Sequence, residues 1–303
     1  MFVDSNEVLT IEAGVTIYFH KGSRMYIAGS LIANGTIESP IIFRGDRLDY
    51  WLGDLKYDQL PDQWDGIWFL SSSTGSELNY CNIRNTKIGI QIGVLGEEGH
   101  SELTIRNCKI DNHSYAGIFA INSKLKAENC VISNAGTYTV ALAAGGIYRF
   151  LHCTVSNYFS HMPRTEPGFV FTNNVTFENQ LFENDLHLYI GNSIIYGSLS
   201  DEIGIGISTG PLLEYHFENC LLRQDNGFCE IDNIGMFNNV IISQDPKFIS
   251  TENYHFNFEL DTLSPAKDKG SIVIGNIVPF DILQNSRILD AGPDIGAYER
   301  IEK

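Results

Sequence analysis

The sequence predicts an all-β fold: a single-stranded right-handed parallel β-helix with three strands per coil, about ten coils and loop insertions. Three observations predict it. The first is a short recurring unit, apolar-x-apolar-x-Asn-Cys-x-apolar-x-Asn. Its clearest copies are Leu103-Thr104-Ile105-Arg106-Asn107-Cys108-Lys109-Ile110-Asp111-Asn112 and Leu125-Lys126-Ala127-Glu128-Asn129-Cys130-Val131-Ile132-Ser133-Asn134. Weaker copies centre on Cys81, Cys153, Ser193, Cys220 and Asn239. A unit this short cannot bury its own apolar face, so it must stack on copies of itself. The second observation is a parity slip inside the unit. Leu103 and Ile105 share one face, as do Cys108 and Ile110, yet the two pairs are odd and even. A regular strand keeps a period of two, so the chain must bend at Asn107. The third is a further β-rich segment in each unit, at 88–92, 117–121 and 138–142, with no convincing helix anywhere.

Each element follows from this frame. Residues 9–19, 25–33 and 41–43 read as opening coils. The spacings between repeat centres are 27, 22, 23, 40, 27 and 19 residues from Cys81 to Asn239. They describe fixed strands joined by elastic loops. The 40-residue interval predicts one extra turn through 168–178, carrying Phe169, Phe171, Val175 and Phe177. Asn tolerates the left-handed backbone that a tight bend needs. It recurs in the bend slot at Asn107, Asn129, Asn192, Asn219 and Asn238, and in a second slot at Asn85, Asn112, Asn134 and Asn157. Stacked amides of this kind can bond in ladders. Crossovers between parallel strands are right-handed, and ten rungs at about 4.8 Å each give a rod near 50 Å long. The whole of 1–303 is expected to form one β-helix domain, with an insertion at 45–66 and terminal coils and a cap at 245–303.

Composition narrows the function. The chain has 303 residues, 43% of them hydrophobic, so it can bury a core. No run of eighteen apolar residues suggests a membrane span. The net charge is -17, from 20 Lys+Arg against 37 Asp+Glu. That field repels nucleic acid and anionic membranes. The first residues lack a basic flank and an apolar signal core, and a strand begins at once, so a removed leader is expected. Membrane attachment is expected only through such a lost N-terminal anchor. Of six cysteines, Cys81, Cys108, Cys130, Cys153 and Cys220 occupy one repeat slot. Stacked equivalents point the same way, so they are expected as reduced, inward-facing thiols. No Cys-x-x-Cys pair suggests a metal site.

The repeats resemble the pectate-lyase-like superfamily of right-handed parallel β-helix proteins. The opening coils, with Gly29-Ser30-Leu31-Ile32-Ala33-Asn34-Gly35-Thr36 and Pro40-Ile41-Ile42-Phe43, resemble secreted β-helix proteins of Bacteroides-like bacteria. Trp64-Asp65-Gly66-Ile67-Trp68-Phe69 is similar to their Trp-Gly-Gly-Ile motif, with Asp65 for the first Gly. Asp245-Pro246-Lys247-Phe248, Tyr254-His255-Phe256, Ser264-Pro265-Ala266-Lys267-Asp268-Lys269-Gly270 and Pro293-Asp294-Ile295-Gly296-Ala297-Tyr298-Glu299 are similar to the terminal coils of surface proteins with sorting anchors. The resemblance implies export to the surface or periplasm, as a secreted protein or lipoprotein, and contact with polysaccharide. Enzymes of the superfamily work on an outer sheet face, with clustered acids holding calcium or with paired carboxylates.

Acids in outward slots of consecutive rungs are therefore the residues that could carry such chemistry. Neighbouring rungs bring like residues within about 5 Å, close enough for carboxylates to share a cation. The third-strand slots hold Gln91, Phe119 and Ala141, which perform no acid–base work. The slot after the second strand holds Arg84, Asp111, Ser133, Ser156 and Arg223, where Arg84 and Asp111 are placed to pair across a rung. The strongest candidate is the insertion at 45–66, with six Asp beside Tyr50, Trp51, Tyr57 and Trp64. Aromatic faces stack on sugar rings, and carboxylates accept sugar hydroxyls. Asp46, Asp49, Tyr50, Trp51, Asp54, Tyr57 and Asp58 are the expected ligand-binding residues; Trp64 reads as structural. The loop at 157–167 offers His161, Arg164 and Glu166 as an acid–base set. The sequence favours a polysaccharide binder without catalysis and without a cofactor. The alternatives are a lyase or glycoside hydrolase, with calcium if a lyase, and a structural or adhesive rod.

Overall fold

A computed structural model describes residues 1–97, 99–208, 210–225 and 236–302. Parallel strands stack into three walls of a right-handed β-helix. The first wall runs through Val8–Ile11, Ser30–Asn34, Ser76–Asn79 and Glu102–Arg106, and onward to Leu186–Gly191 and Leu213–Glu218. The second wall is a separate nine-stranded sheet from Thr16–Phe19 to Ile241–Ile242. The third begins with Phe2–Val3, Arg24–Ile27, Gly66–Phe69 and Ile88–Ile92 and ends with Phe169–Thr172 and Ile203–Gly206. Two long strands, Ala116–Glu128 and Tyr138–Leu151, turn a corner and join the third wall to the first. Positive φ at Asn122 and at Ala144, Gly145 and Gly146 makes that corner.

The bend between the first and second walls behaves as the parity slip requires. Tyr80, Asn107, Asn129, His152, Asn192, Asn219 and Asn239 all have positive φ, from 47° to 55°. Tyr80 and His152 fill the slot in rungs that lack Asn. The last rung corrects the expected register by one residue. Asn238 lies opposite Glu218, so Asn239 makes the bend and Val240 takes the cysteine position. The second Asn slot is left-handed at Asn85, Asn112 and Asn134 but not at Asn157, which stays in its strand.

Behind the bend, Cys81, Cys108, Cys130, Cys153 and Cys220 form one fully buried file of free thiols. Cys229 lies outside the described residues. Beside this file, Phe43, Ile83, Ile110, Ile132, Val155, Ile195 and Leu222 stack in register and are buried. Each residue is boxed by its neighbours above and below, as in any close-packed interior.

Two expectations are corrected. The 40 residues between Cys153 and Ser193 contain no extra turn, because Thr154–Asn157 pairs directly with Ile194–Gly197. The added length forms a loop before Phe169–Thr172 and a projecting antiparallel hairpin of Asn174–Phe177 and Gln180–Glu183. The segment from 245 adds no terminal coils either. An antiparallel pair, Phe248–Ser250 with Asn257–Leu260, and a short helix, Ile272–Ile277, lead into a strap on the outside of the rod.

The strap follows the bend residues as a rail. Asn219 donates to Lys269 O at 2.9 Å, Asn192 exchanges bonds with Ser271, and Asn129 donates to Phe280 O at 2.6 Å. Gln284 reaches the Tyr80 hydroxyl. The amide ladder Asn79–Asn107–Asn129 ends on Arg287, whose guanidinium donates to Asn129 Oδ1 at 2.8 Å and pairs with Glu299 at 3.1 Å. Asp294 caps the amides of Asp268 and Arg300, Glu299 that of Asp294, and Asp281 that of Glu299. The acidic residues of the tail motif thus tie the strap into a knot. Buried carboxylates are tolerated where amides and a guanidinium satisfy them.

Candidate functional site

The 45–66 insertion leaves the second wall at Gly45 and enters the third wall at Gly66. Its root is rigid. Trp64 is fully buried, stacks on Phe19 at 4.0 Å and donates to Arg84 O at 2.9 Å. Gly66 has φ +105°, and a Cβ there would meet Ile88 O at 1.6 Å, so the following strand requires glycine. The seven expected ligand residues do not converge. Asp58 faces the rod, in ion pairs with Arg44 at 2.7 Å and Arg84 at 3.6 Å. Asn85 donates to the carbonyls of Asp58 and Leu60. Asp46 bonds His20 at 2.9 Å. Asp49 binds Arg47 through two hydrogen bonds, which hold its carboxyl below the usual range, and Arg47 lies 3.8 Å over the Tyr57 ring. Tyr50, Trp51 and Asp54 stand at the exposed tip, a small antiparallel hairpin whose Tyr50–Leu52 residues are all more than half exposed.

The expected Arg84–Asp111 pair does not form, because Asp58 of the insertion takes the Arg84 charge. Asp111 is left half-buried, and among the described residues its carboxylate has no ion pair. Burial, helped by Asp58, raises its pKa against the pull of Arg84 and Lys109. The set at 157–167 also separates. Arg164 is buried against Glu202 at 2.7 Å, and both side chains are almost inaccessible. This pair anchors the loop while Glu166 stays exposed. His161 turns the other way. Its ring lies 5.1 Å from Phe159 and 5.6 Å from Tyr254, and it lines the groove together with Gln59. Burial lowers its pKa, so it is neutral near pH 7.

These pieces enclose a groove on the outer face of the second wall. One part, of roughly 220 Å³, lies over Arg84, Asp111 and Asn134, beneath Gln59, His161 and Tyr254. A second part, of roughly 370 Å³, adjoins it at Asp111, Asn134 and Phe256 and opens toward Lys109, Glu259 and Tyr298. Three aperiodic segments build it: the insertion, the loop after Asn157, and the turn at 251–256 that joins Phe248–Ser250 to Asn257–Leu260. A carboxylate, amides, an imidazole and aromatic faces meet there, the mixture that suits a hydroxyl-rich, weakly apolar ligand. The sequence singled out Asp111 and His161 separately but missed Tyr254, Phe256 and Gln59. Tyr254 and Phe256 stood in the tail motif only as marks of resemblance, and Gln59 only as part of the insertion, since the contacts that unite them span far-apart segments. Among the described residues no group of three or more His, Cys, Asp or Glu is arranged to hold a metal ion.

A family profile for the right-handed β-helix region matches residues 1–159. Among solved structures, the crystal structure of pectate lyase Pel9A aligns with 99% of this chain and 87% of that chain, at 12% identity and a TM-score of 0.34. A superposition this loose carries no argument about chemistry. No curated protein matches the chain.

Proposed function

Because the chain belongs to the right-handed β-helix family, we propose that it is a polysaccharide-binding protein whose groove on the second wall takes the glycan. One observation carries the reading: three separate insertions meet over a single stretch of sheet and leave a groove lined by Asp111, Asn134, His161, Tyr254 and Phe256. The exposed Tyr50–Trp51 tip is a second contact for a longer chain. A surface, periplasmic or secreted location fits a polymeric ligand. The net charge of -17 disfavours nucleic acid.

The test is a panel of polysaccharides read by affinity electrophoresis and thermal shift. Binding stabilises the folded state by mass action, so a bound glycan raises the melting temperature. Tyr254→Ala, at an exposed position, is expected to reduce retention and leave the unliganded melting temperature unchanged. Equal retention by Tyr254→Ala and wild type removes the groove from the site.

A second reading is supported by Asp111. A carboxyl with a raised pKa near a neutral imidazole is the pairing that acid–base cleavage uses. A lyase releases unsaturated, ultraviolet-absorbing ends, a hydrolase releases reducing ends without them, and a binder releases neither.

A further inference from the structure

The walls make a three-sided rod, so the corner that joins the third wall to the first faces away from the second wall and its groove. A separate groove lies along that corner. One part, of roughly 360 Å³, lies over Ile121, Asn122 and Ala144, with Glu97, Phe182 and Asn184 around it. Another, of roughly 280 Å³, shares Asn122 and Asn184 with the first and continues onto the first wall beside Lys124 and Ile147. Its sides are fixed. The projecting hairpin packs Val175 and Phe182 against Ile121, Ala143 and Ala144, together with Leu95. Asn184, just past the hairpin, donates to Ala144 O at 2.9 Å. Phe182 reaches as far as Gly96, where a Cβ would meet its ring at 3.3 Å.

The lining is short of positive charge. The first part holds no Lys, Arg or His among its lining residues. In the second, Lys124 is paired with Glu102 at 2.5 Å and His187 with Glu214 at 2.7 Å, while His100 bonds Asn122 O at 3.1 Å. The Glu97 carboxylate and the Asn122 side-chain amide have no hydrogen-bond partner among the described residues. These groups bond hydroxyls, and the Phe182 ring and the exposed Ile147 offer apolar surface to the C–H face of a sugar. A polyuronate would bring its carboxylates against Glu97, Glu183 and Asp185 with no free cation to balance them.

We propose that this corner is a second glycan-binding site, one for uncharged, hydroxyl-rich chains, and that the protein holds a glycan segment on each of two opposite sides of the rod. This rests on the polysaccharide-binding reading of the second-wall groove and adds a second site and the charge of its ligand. Two sites that face apart do not grip one short stretch together, so on a polymer they join separate segments and the protein acts as a cross-link.

The experiment is calorimetric titration of the full chain with hexaoses of β-glucan, xylan, mannan and polygalacturonate, paired with turbidity of the parent polymers. For an uncharged hexaose that binds, the wild type is expected to take two per protein and to cloud a solution of the polymer. Tyr254→Ala is expected to take one. A corner variant, Asn122→Gly with Glu97→Ala, is also expected to take one. Glycine suits the left-handed backbone at 122, where φ is 38°, and Glu97 is exposed. Neither variant is expected to cloud the polymer, and combining them should abolish binding. Circular dichroism melting checks folding, and Glu97→Ala alone replaces the corner variant if that one is unfolded. A single site in the wild type that Tyr254→Ala removes overturns the second site and leaves the second-wall groove standing. A single site that only the corner variant removes overturns the paired arrangement and the second-wall groove with it. Two sites kept by a folded corner variant place the second ligand elsewhere and overturn the proposal. Binding of the galacturonate hexaose alone, or of two per protein, overturns the assignment to uncharged chains. Failure of all four to bind removes the polysaccharide-binding reading and this inference together.

Discussion

The two faces of the second wall are made by the same strands, yet they are organised by opposite rules. Inward positions repeat: Ile83, Ile110, Ile132 and Val155 in one file, and Cys81, Cys108, Cys130 and Cys153 in the next. Outward positions do not: Arg44, Arg84, Asp111, Ser133, Ser156 and Tyr196 share one file and have little in common. Inside, each rung meets an identical neighbour and must solve the same packing problem. Outside, each rung is covered by a different piece of chain. Repetition therefore marks where the protein is held together, and its absence marks where ligands can be selected.

The sharpest way to break this contrast is to put charge inside. Cys130→Asp buries a carboxylate between Cys108 and Cys153 with no partner, and it is expected to cost on the order of 4 kcal/mol or more. Chemical denaturation measures it; a melting temperature within a degree or two of wild type would contradict the interior file. The next largest effect is expected on the outside. Arg287→Met leaves Glu299 and Asn129 without their guanidinium and is expected to cost about 3 kcal/mol. Because coils are stabilised by their neighbours, the loss should appear as faster hydrogen exchange across 268–300, with the coil core still protected. Uniform loss of protection along the rod would mean that strap and coils unfold as one unit.

A third test uses pH. His113 is buried, with Nδ1 on Thr86 at 2.6 Å and Nε2 unpartnered, and burial lowers its pKa to about 3, with Arg84 adding to the effect. Below about pH 6.5 the unfolded chain takes up a proton that the folded chain refuses until about pH 3. Stability therefore falls as pH drops through that window, by about 1.4 kcal/mol per unit from this residue. His113→Gln should flatten that slope relative to wild type; parallel profiles would place the ring in contact with water. The smallest effect on stability is expected at the insertion tip. Trp51→Ala should leave the melting temperature within a degree of wild type while weakening glycan retention. Unchanged retention would confine binding to the groove.

Much of the fold was legible because it is periodic. The parity slip at Asn107 located the bend, and the common slot of five cysteines located the interior. The register error at Asn238 and the extra turn expected near 168–178 have one cause: a sequence period reports strand content, not how connecting residues are spent. The candidate site was less legible. Asp58 read as a ligand and serves as a strut between Arg44 and Arg84, and Arg164 read as catalytic and anchors a loop. A polar side chain in a loop carries no local sign of whether it faces solvent or the rod.

By itself, the sequence determined the stacking: which residues face inward, where the chain bends, and that copies must lie on copies. Stacking depends on alternation and repetition, which are local properties of a string. Only the tertiary structure decided that the tail runs back along the Asn rail, that Asp58 claims Arg84, and that Gln59, Asp111, His161 and Tyr254 share one groove. Those outcomes depend on contacts between segments far apart in the chain and made once each, so no repeat announces them.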